Sequence, residues 1–155
     1  MFTCTKRIEF DFGHRLIAHE TKCANLHGHR AFVDVTCGNS TLDKVGRVID
    51  FGTIKSVFGS WIDENLDHTM ILNSSDDKVI EVVRATNKKP PFIVPFEPSS
   101  EHLADFLYHK GNELLKPHHV RVVQIRFYET PNSWSDYPNF VVGPSHQELE
   151  GLVRR

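Results

Sequence analysis

The sequence has no surplus of charge of either sign: eighteen Lys and Arg stand against twenty Asp and Glu in 155 residues, a formal net charge of −2. Bulk electrostatics therefore gives no reason to expect nucleic acid or an anionic membrane as a partner, although a small, locally charged ligand is compatible with it. Cysteine is scarce and odd in number, Cys4, Cys23 and Cys37. That argues against a disulfide framework and leaves each thiol to be explained as core filler, metal ligand or nucleophile. No apolar run approaches the length that spans a bilayer, and the opening MFTCTKRIEF lacks the apolar region of a signal peptide, so the expected address is the cytoplasm. Internal repeats, low-complexity tracts and linkers are also lacking. With 39% hydrophobic residues, the chain has the size and apolar fraction of a single domain over 1–155.

Histidine is plentiful, ten in all, and His14, His27 and His29 fall within sixteen residues of one another. Around them Ile8, Phe10 and Phe12 alternate with polar partners, as do Ala31, Val33, Val35 and Cys37, which predicts two strands with one buried face each. Cys4 and Cys37 lie in these strand patterns as small core hydrophobes. After a turn and a short strand in "GNSTLDKVGRVID", the residues Phe51, Ile54, Val57, Phe58, Trp61, Ile62 and Leu66 recur at helical spacing behind Asp50 as N-cap. "DDKVIEVVRATN" suits a short helix or a strand, and "FIVPF" a short extended piece. A second helix is predicted from Ser99 or Ser100, carrying Leu103, Ala104, Phe106, Leu107, Leu114 and Leu115 until Pro117 stops it. Val123, Ile125 and Phe127 then alternate as a third well-marked strand, and Ser145 with Glu148 has capping-box spacing. Two strands, two helices and further strands in that order fit an antiparallel α+β fold better than a doubly wound sheet.

Three patches carry chemistry. In "KCANLHGHR" two histidines two apart project from the same face of an extended chain, and hairpin pairing would bring His14 to them. Three neutral imidazoles suit zinc; if the Cys23 sulfur completes the tetrahedron the site is closed and structural, and if it stands off, a thiol sits beside an open Lewis acid. In "ENLDHTMILN", Asp67 and His68 are adjacent at a helix exit, where a carboxylate can orient an imidazole for proton transfer or the histidine can simply answer the helix dipole. Glu129, at the end of the last strand in "RFYETPNSWSDY", is either an exposed acid or a carboxylate able to accept two parallel N–H bonds from an amidine-like edge.

The pieces "FDFGHRL", "KCANLHGHRAFVDV", "GRVIDFGTIK", "LDHTMILN", "PFEPSSEHLADFL" and "YETPNSWSDY", spanning about residues 8–137, together closely resemble the family of 6-pyruvoyltetrahydropterin and 6-carboxytetrahydropterin synthases. The short cysteine-to-histidine spacing and the "YETPNSW" ending are similar to the bacterial 6-carboxytetrahydropterin branch of the 7-deazaguanine (queuosine) pathway. The resemblance implies a T-fold, an antiparallel four-stranded sheet with two helices on one face, oligomerising into a β-barrel with active sites at subunit interfaces. It implies zinc on His14, His27 and His29, Cys23 as the catalytic thiol, Asp67 with His68 as its acid/base partner, and Glu129 and Ser99 on the pterin. Ser99 stands where the family commonly has threonine. The implied reaction is a lyase conversion of 7,8-dihydroneopterin triphosphate to 6-carboxytetrahydropterin, with 6-pyruvoyl chemistry or a non-catalytic zinc-stabilised pterin-binding protein as the alternatives. Arg15, Lys22 and Arg30 are candidate contacts for the triphosphate, and residues 138–155 form an extension beyond the family pattern.

Overall fold

The computed structural model describes residues 1–138. Its centre is a long hairpin, β1 (Phe2–His14) against β2 (His27–Asn39), antiparallel in unbroken register from Phe2↔Asn39 to His14↔His27. Both strands are amphipathic with period two, so Ile8, Phe10, Phe12 and His14 share a buried face with Ala31, Val33, Val35 and Cys37. Burial pushes the Cys37 thiol up to about 12, as suits a core residue, and Cys4 faces it across the hairpin.

The chain then crosses the sheet as one continuous helical stretch, α1 (Phe51–Ile54), a π-helical turn (Lys55–Gly59) and α2 (Ser60–Asn65). Asp50 caps it, its side chain accepting the Gly52 N–H at 2.7 Å. The fully buried residues Ile54, Phe58, Ile62 and Leu66 recur every four positions. In a pure α-helix that spacing drifts by about 40° per step, and the wider π turn takes up part of the drift. Phe51, expected on the buried stripe, is half exposed at the helix start. The short strand expected in "GRVID" does not form; those residues are bends and turns leading to the Asp50 cap.

β3 (Thr69–Asn73) follows, then α3 (Asp77–Thr86), β4 (Phe92–Val94), α4 (Ser100–Leu115), β5 (Arg121–Thr130) and β6 (Ser133–Tyr137). Ser99 is the N-cap of α4, its hydroxyl accepting from His102 N, and the helix gives way to a 3-10 turn containing Pro117. Gly111 lets α4 sit against the sheet, since a Cβ there would stand 3.0 Å from Val122 Cγ2 and 3.4 Å from Phe58 Cε1.

Two features correct the expected architecture. The sheet has six strands in the order β4-β3-β1-β2-β5-β6, and β3 and β4 pair parallel, β3 with β1 and β4 with β3. Crossover through the helix returns the chain in the direction of β1, and α3 does the same between β3 and β4, so two short parallel strands extend the four antiparallel ones. α3 is an additional helix, burying Ile80 and Val83 with Leu72 in a cluster of its own. In β5 the register shifts at Thr36/Cys37, leaving Val123 as the extra residue; Val122, not Val123, joins Ile125 and Phe127 inside. The helix-capping pattern at Ser145 and Glu148 lies outside the described residues.

β3 meets β1 only at Phe12–His14. Residues 2–11 of β1 therefore have no strand on that side, and β6 at the other end of the sheet has none on its outer side, both among the described residues.

Candidate metal and proton-transfer site

At the end of the hairpin opposite the Asn39 turn, cross-strand pairing puts His14 opposite His27 and Phe12 opposite His29. One ring nitrogen from each of the three histidines lies within 4.8 Å of the others. His14, 1% exposed, has Nδ1 2.8 Å from the Pro98 carbonyl; His27 has Nδ1 2.7 Å from the Asn25 carbonyl. A carbonyl only accepts, so both Nδ1 atoms carry a proton, and in the neutral ring form each Nε2 presents a lone pair. Yet these two Nε2 atoms face each other at 3.1 Å. His29 Nε2 is buried with no hydrogen-bond partner at all. Lone pairs gathered in a dry pocket repel unless a cation sits among them, so this donor set fits a metal ion. Burial also pushes the His14 imidazole down to about 4, against the opposing effect of its Pro98 hydrogen bond, and lowers His29 in the same way with Glu129 opposing. Both are neutral at physiological pH, the form a metal needs.

Gly28, between His27 and His29, answers to the hairpin: a Cβ there would stand 3.1 Å from the Phe12 carbonyl oxygen. Cys23 sits in a 3-10 turn, Lys22–Ala24, half buried, and is not part of the converging donor group. Its backbone carbonyl accepts the Leu16 N–H at 2.9 Å, which folds the loop back on the end of β1. The same loop is held by Glu97, which accepts the Ile17 N–H at 2.7 Å and Asn73 Nδ2 at 2.9 Å.

Asp67 and His68 occupy the turn between α2 and β3. His68 Nδ1 donates to Asp67 Oδ2 at 2.7 Å, while Asp67 Oδ1 accepts the Asp11 N–H at 2.8 Å. Both carboxylate oxygens are thus engaged and the imidazole tautomer is set. His68 adopts φ 53°, a left-handed conformation that few non-glycine residues take; its N–H donates to the Asp11 carbonyl at 2.6 Å, and Lys89 Nζ donates to the Asp67 carbonyl at 2.7 Å, which together hold the turn. Burial by itself would raise the Asp67 carboxyl, but the Asp11 N–H, His68 and Lys89 outweigh it and the net direction is down. His68 is open to solvent, its side chain 75% exposed.

The two groups do not meet. Asp11, whose carboxylate gathers with Asp67 and His68, points to the face of β1 opposite Phe12 and His14, so the sheet lies between the dyad and the histidines. Asp11 went unnoticed in the sequence because its partner is 56 positions away. Glu129, by contrast, is on the histidine side: its Oε1 lies 3.4 Å from His14 Nε2 and 3.9 Å from His29 Nε2.

Two of the three candidate phosphate contacts are committed within the chain. Arg30 makes a two-pronged pair with Asp11, at 3.0 and 2.9 Å, and Arg15 another with Asp76, at 2.6 and 2.5 Å. Asp76 is 5% exposed. Replacing it with asparagine leaves Arg15 without its counter-charge at the foot of the Cys23 loop, and we expect a loss of about 2 kcal/mol, reduced from the full buried-pair value because Arg15 is partly solvated. The shift of the urea midpoint measures it; an unchanged midpoint would show the pair to be dispensable.

A curled α+β sheet backed by helices, with a three-histidine donor set at the hairpin end, defines a T-fold protein. The sequence matches the 6-pyruvoyl tetrahydropterin synthase family over residues 3–139, and the chain belongs to that family. It is 40% identical over 136 residues to the 6-carboxy-5,6,7,8-tetrahydropterin synthase of Rickettsia felis, covering 85% of this chain and 96% of the relative. With the enzyme of the same description from Haemophilus influenzae it shares 31% identity over 142 residues, 88% and 99% of the two chains. Among solved structures, an uncharacterized protein from Wolinella succinogenes superimposes with TM-score 0.71 at 26% identity, over 87% and 96% of the two chains. The 6-pyruvoyl tetrahydropterin synthase of Caenorhabditis elegans does so with TM-score 0.62 at 22% identity, over 88% and 94%, a likeness of fold.

Proposed function

We propose that this protein is a zinc-dependent 6-carboxy-5,6,7,8-tetrahydropterin synthase, a lyase taking 7,8-dihydroneopterin triphosphate and water to 6-carboxytetrahydropterin, triphosphate and acetaldehyde, and that it serves 7-deazaguanine synthesis. The observation that carries the reading is the converging donor set of His14, His27 and His29, in a chain that aligns with enzymes of this description along nearly their whole length. Zinc held there supplies Lewis acidity to side-chain hydroxyl oxygens of the substrate, which eases proton removal from the adjoining carbon.

The chain's own groups do the rest. Cys23 takes the proton from the side-chain carbon, its loop closed back on Leu16 just past the end of β1. His68 carries the second proton at Nε2, the tautomer being set by Asp67 on Nδ1. Glu129 accepts the paired N–H groups of the pterin's amidine-like edge. Ser99, whose hydroxyl accepts from His102 N as the cap of α4 and also bonds the Glu101 carboxylate, is the second pterin contact.

Because the dyad lies across the sheet from the histidines of the same chain, one substrate meets both sets only if a second copy brings its Asp67 and His68. A homo-oligomer satisfies this, and the edges of β1 at residues 2–11 and of β6, unpaired among the described residues, are the surfaces through which sheets of neighbouring copies can continue into a barrel.

Incubation with 7,8-dihydroneopterin triphosphate, followed by mass spectrometry of the products, tests the reaction. The expected product is 6-carboxytetrahydropterin, lost when a chelator strips the metal. A 6-pyruvoyl product would move the protein to the sister activity, and no turnover at all would leave a pterin-binding protein.

A further inference from the structure

The carboxylate of Glu129 stands against the histidine donors, not away from them. Its Oε1 is 3.4 Å from His14 Nε2 and 3.9 Å from His29 Nε2. His14 has its ring proton committed to the Pro98 carbonyl, and His29 Nε2 has no hydrogen-bond partner. A carboxylate oxygen beside the bare imine nitrogen of His14 and the unpartnered nitrogen of His29 lacks the donors it would need, and such a gathering is stable around a cation. Donors bonded tetrahedrally to one zinc lie on the order of 3.4 Å apart. The 3.1 Å between His14 and His27 and the 3.4 Å between His14 and Glu129 are close to that spacing, while the longer 3.9 Å to His29 leaves a small side-chain adjustment to be made.

Glu129 also borders a cleft of about 270 Å³ with His29, Phe32 and Pro131. Its side chain is 27% exposed, so it has somewhere else to go. One carboxylate thus faces both a metal position and a space open to a ligand.

We propose that Glu129 is a displaceable fourth ligand of the metal, bound to it when the site holds no pterin and released when the amidine-like edge of the ring takes the carboxylate. The proposal rests on the zinc and pterin reading above and adds to it a control: the open coordination position appears only as substrate arrives. An idle site is then closed by the protein's own oxygen, and the metal is held more tightly in the resting protein than three imidazoles alone would hold it.

The test uses the full chain loaded with cobalt(II) in place of zinc, whose visible absorption reports the ligand set, together with zinc competition against a chelator. Wild type is compared with Glu129→Gln, each with and without unphosphorylated 7,8-dihydroneopterin, whose binding is followed by calorimetry. Glu129→Gln should lower zinc affinity about 10- to 100-fold. Its cobalt spectrum should differ from that of the wild type without pterin, and dihydroneopterin should move the wild-type spectrum toward that of the variant. Identical spectra of the two pterin-free proteins overturn ligation, even where affinity differs, because a charge effect acts without entering the ligand set. A wild-type spectrum unmoved while calorimetry shows binding overturns displacement. Failures of the underlying reading look different: His14→Ala that still takes up cobalt at full affinity removes the histidine site, and absence of any dihydroneopterin binding removes the pterin, and either takes the proposal with it.

Discussion

Replacing Cys23 with alanine lowers turnover by about 10² to 10⁴-fold, the usual contribution of a positioned acid or base, and leaves the zinc content unchanged. The structure makes this variant a clean probe. Cys23 holds its loop to Leu16, two residues past the end of β1, through a backbone carbonyl, which alanine keeps. The side chain is half buried in a three-residue turn, so its removal opens no core cavity. It also stands outside the converging histidine nitrogens, so the metal loses no donor. Turnover and metal content, measured on the same preparation by product formation and elemental analysis, separate the roles. Loss of zinc along with activity would make the sulfur a ligand and the site structural.

The second large effect is a recovery. Cys23→Ala and His68→Ala, each nearly inactive alone, should regain activity when co-expressed with different tags and purified as mixed oligomers. The reason is geometric: His68 and Asp67 gather with Asp11 on one face of β1, whereas His14, next to which Cys23's loop is anchored, faces the other. If each active site takes its thiol from one copy and its dyad from a neighbour, random mixing leaves about a quarter of the sites with both intact. Against the loss of two or more orders of magnitude in each homo-oligomer, that recovery is easily read. Mixed oligomers no more active than either parent would place the thiol and the dyad in the same chain, and the separation of the two faces would then need another explanation.

What could be read in advance was what short-range periodicity carries. Alternation in β1 and β2, the helical spacing of Ile54, Phe58 and Ile62, the cap at Asp50 and the helix start at Ser99 or Ser100 are local patterns, and they reappear in the structure almost residue for residue. Two histidines two apart share a face of any strand, so the pairing of His27 with His29 needed no tertiary information. The parallel pairing of β3 and β4 was not legible, although "FIVPF" already read as extended, because pairing direction depends on where a crossover lands, and the five residues of β3 carry too little pattern to announce a strand. The bulge that exchanges Val122 for Val123 is set by the partner strand and leaves no mark in β5 itself.

The site divides along the same line. Its residue types, imidazoles in a cluster, one thiol, an acid beside a histidine and a strand-end carboxylate, were determined by the sequence alone, because chemistry belongs to the side chain. Their relations were decided only by the tertiary structure. The ring proton of His14 is placed by Pro98, 84 positions away, and Arg15 is neutralised by Asp76 at a separation of 61. Asp67 is held by Asp11 at a separation of 56, on the far side of the sheet from the histidines, and Glu129 is turned toward the nitrogens of His14 and His29. Contacts over such separations follow from how strands and helices pack against one another, and no local period in the chain encodes them.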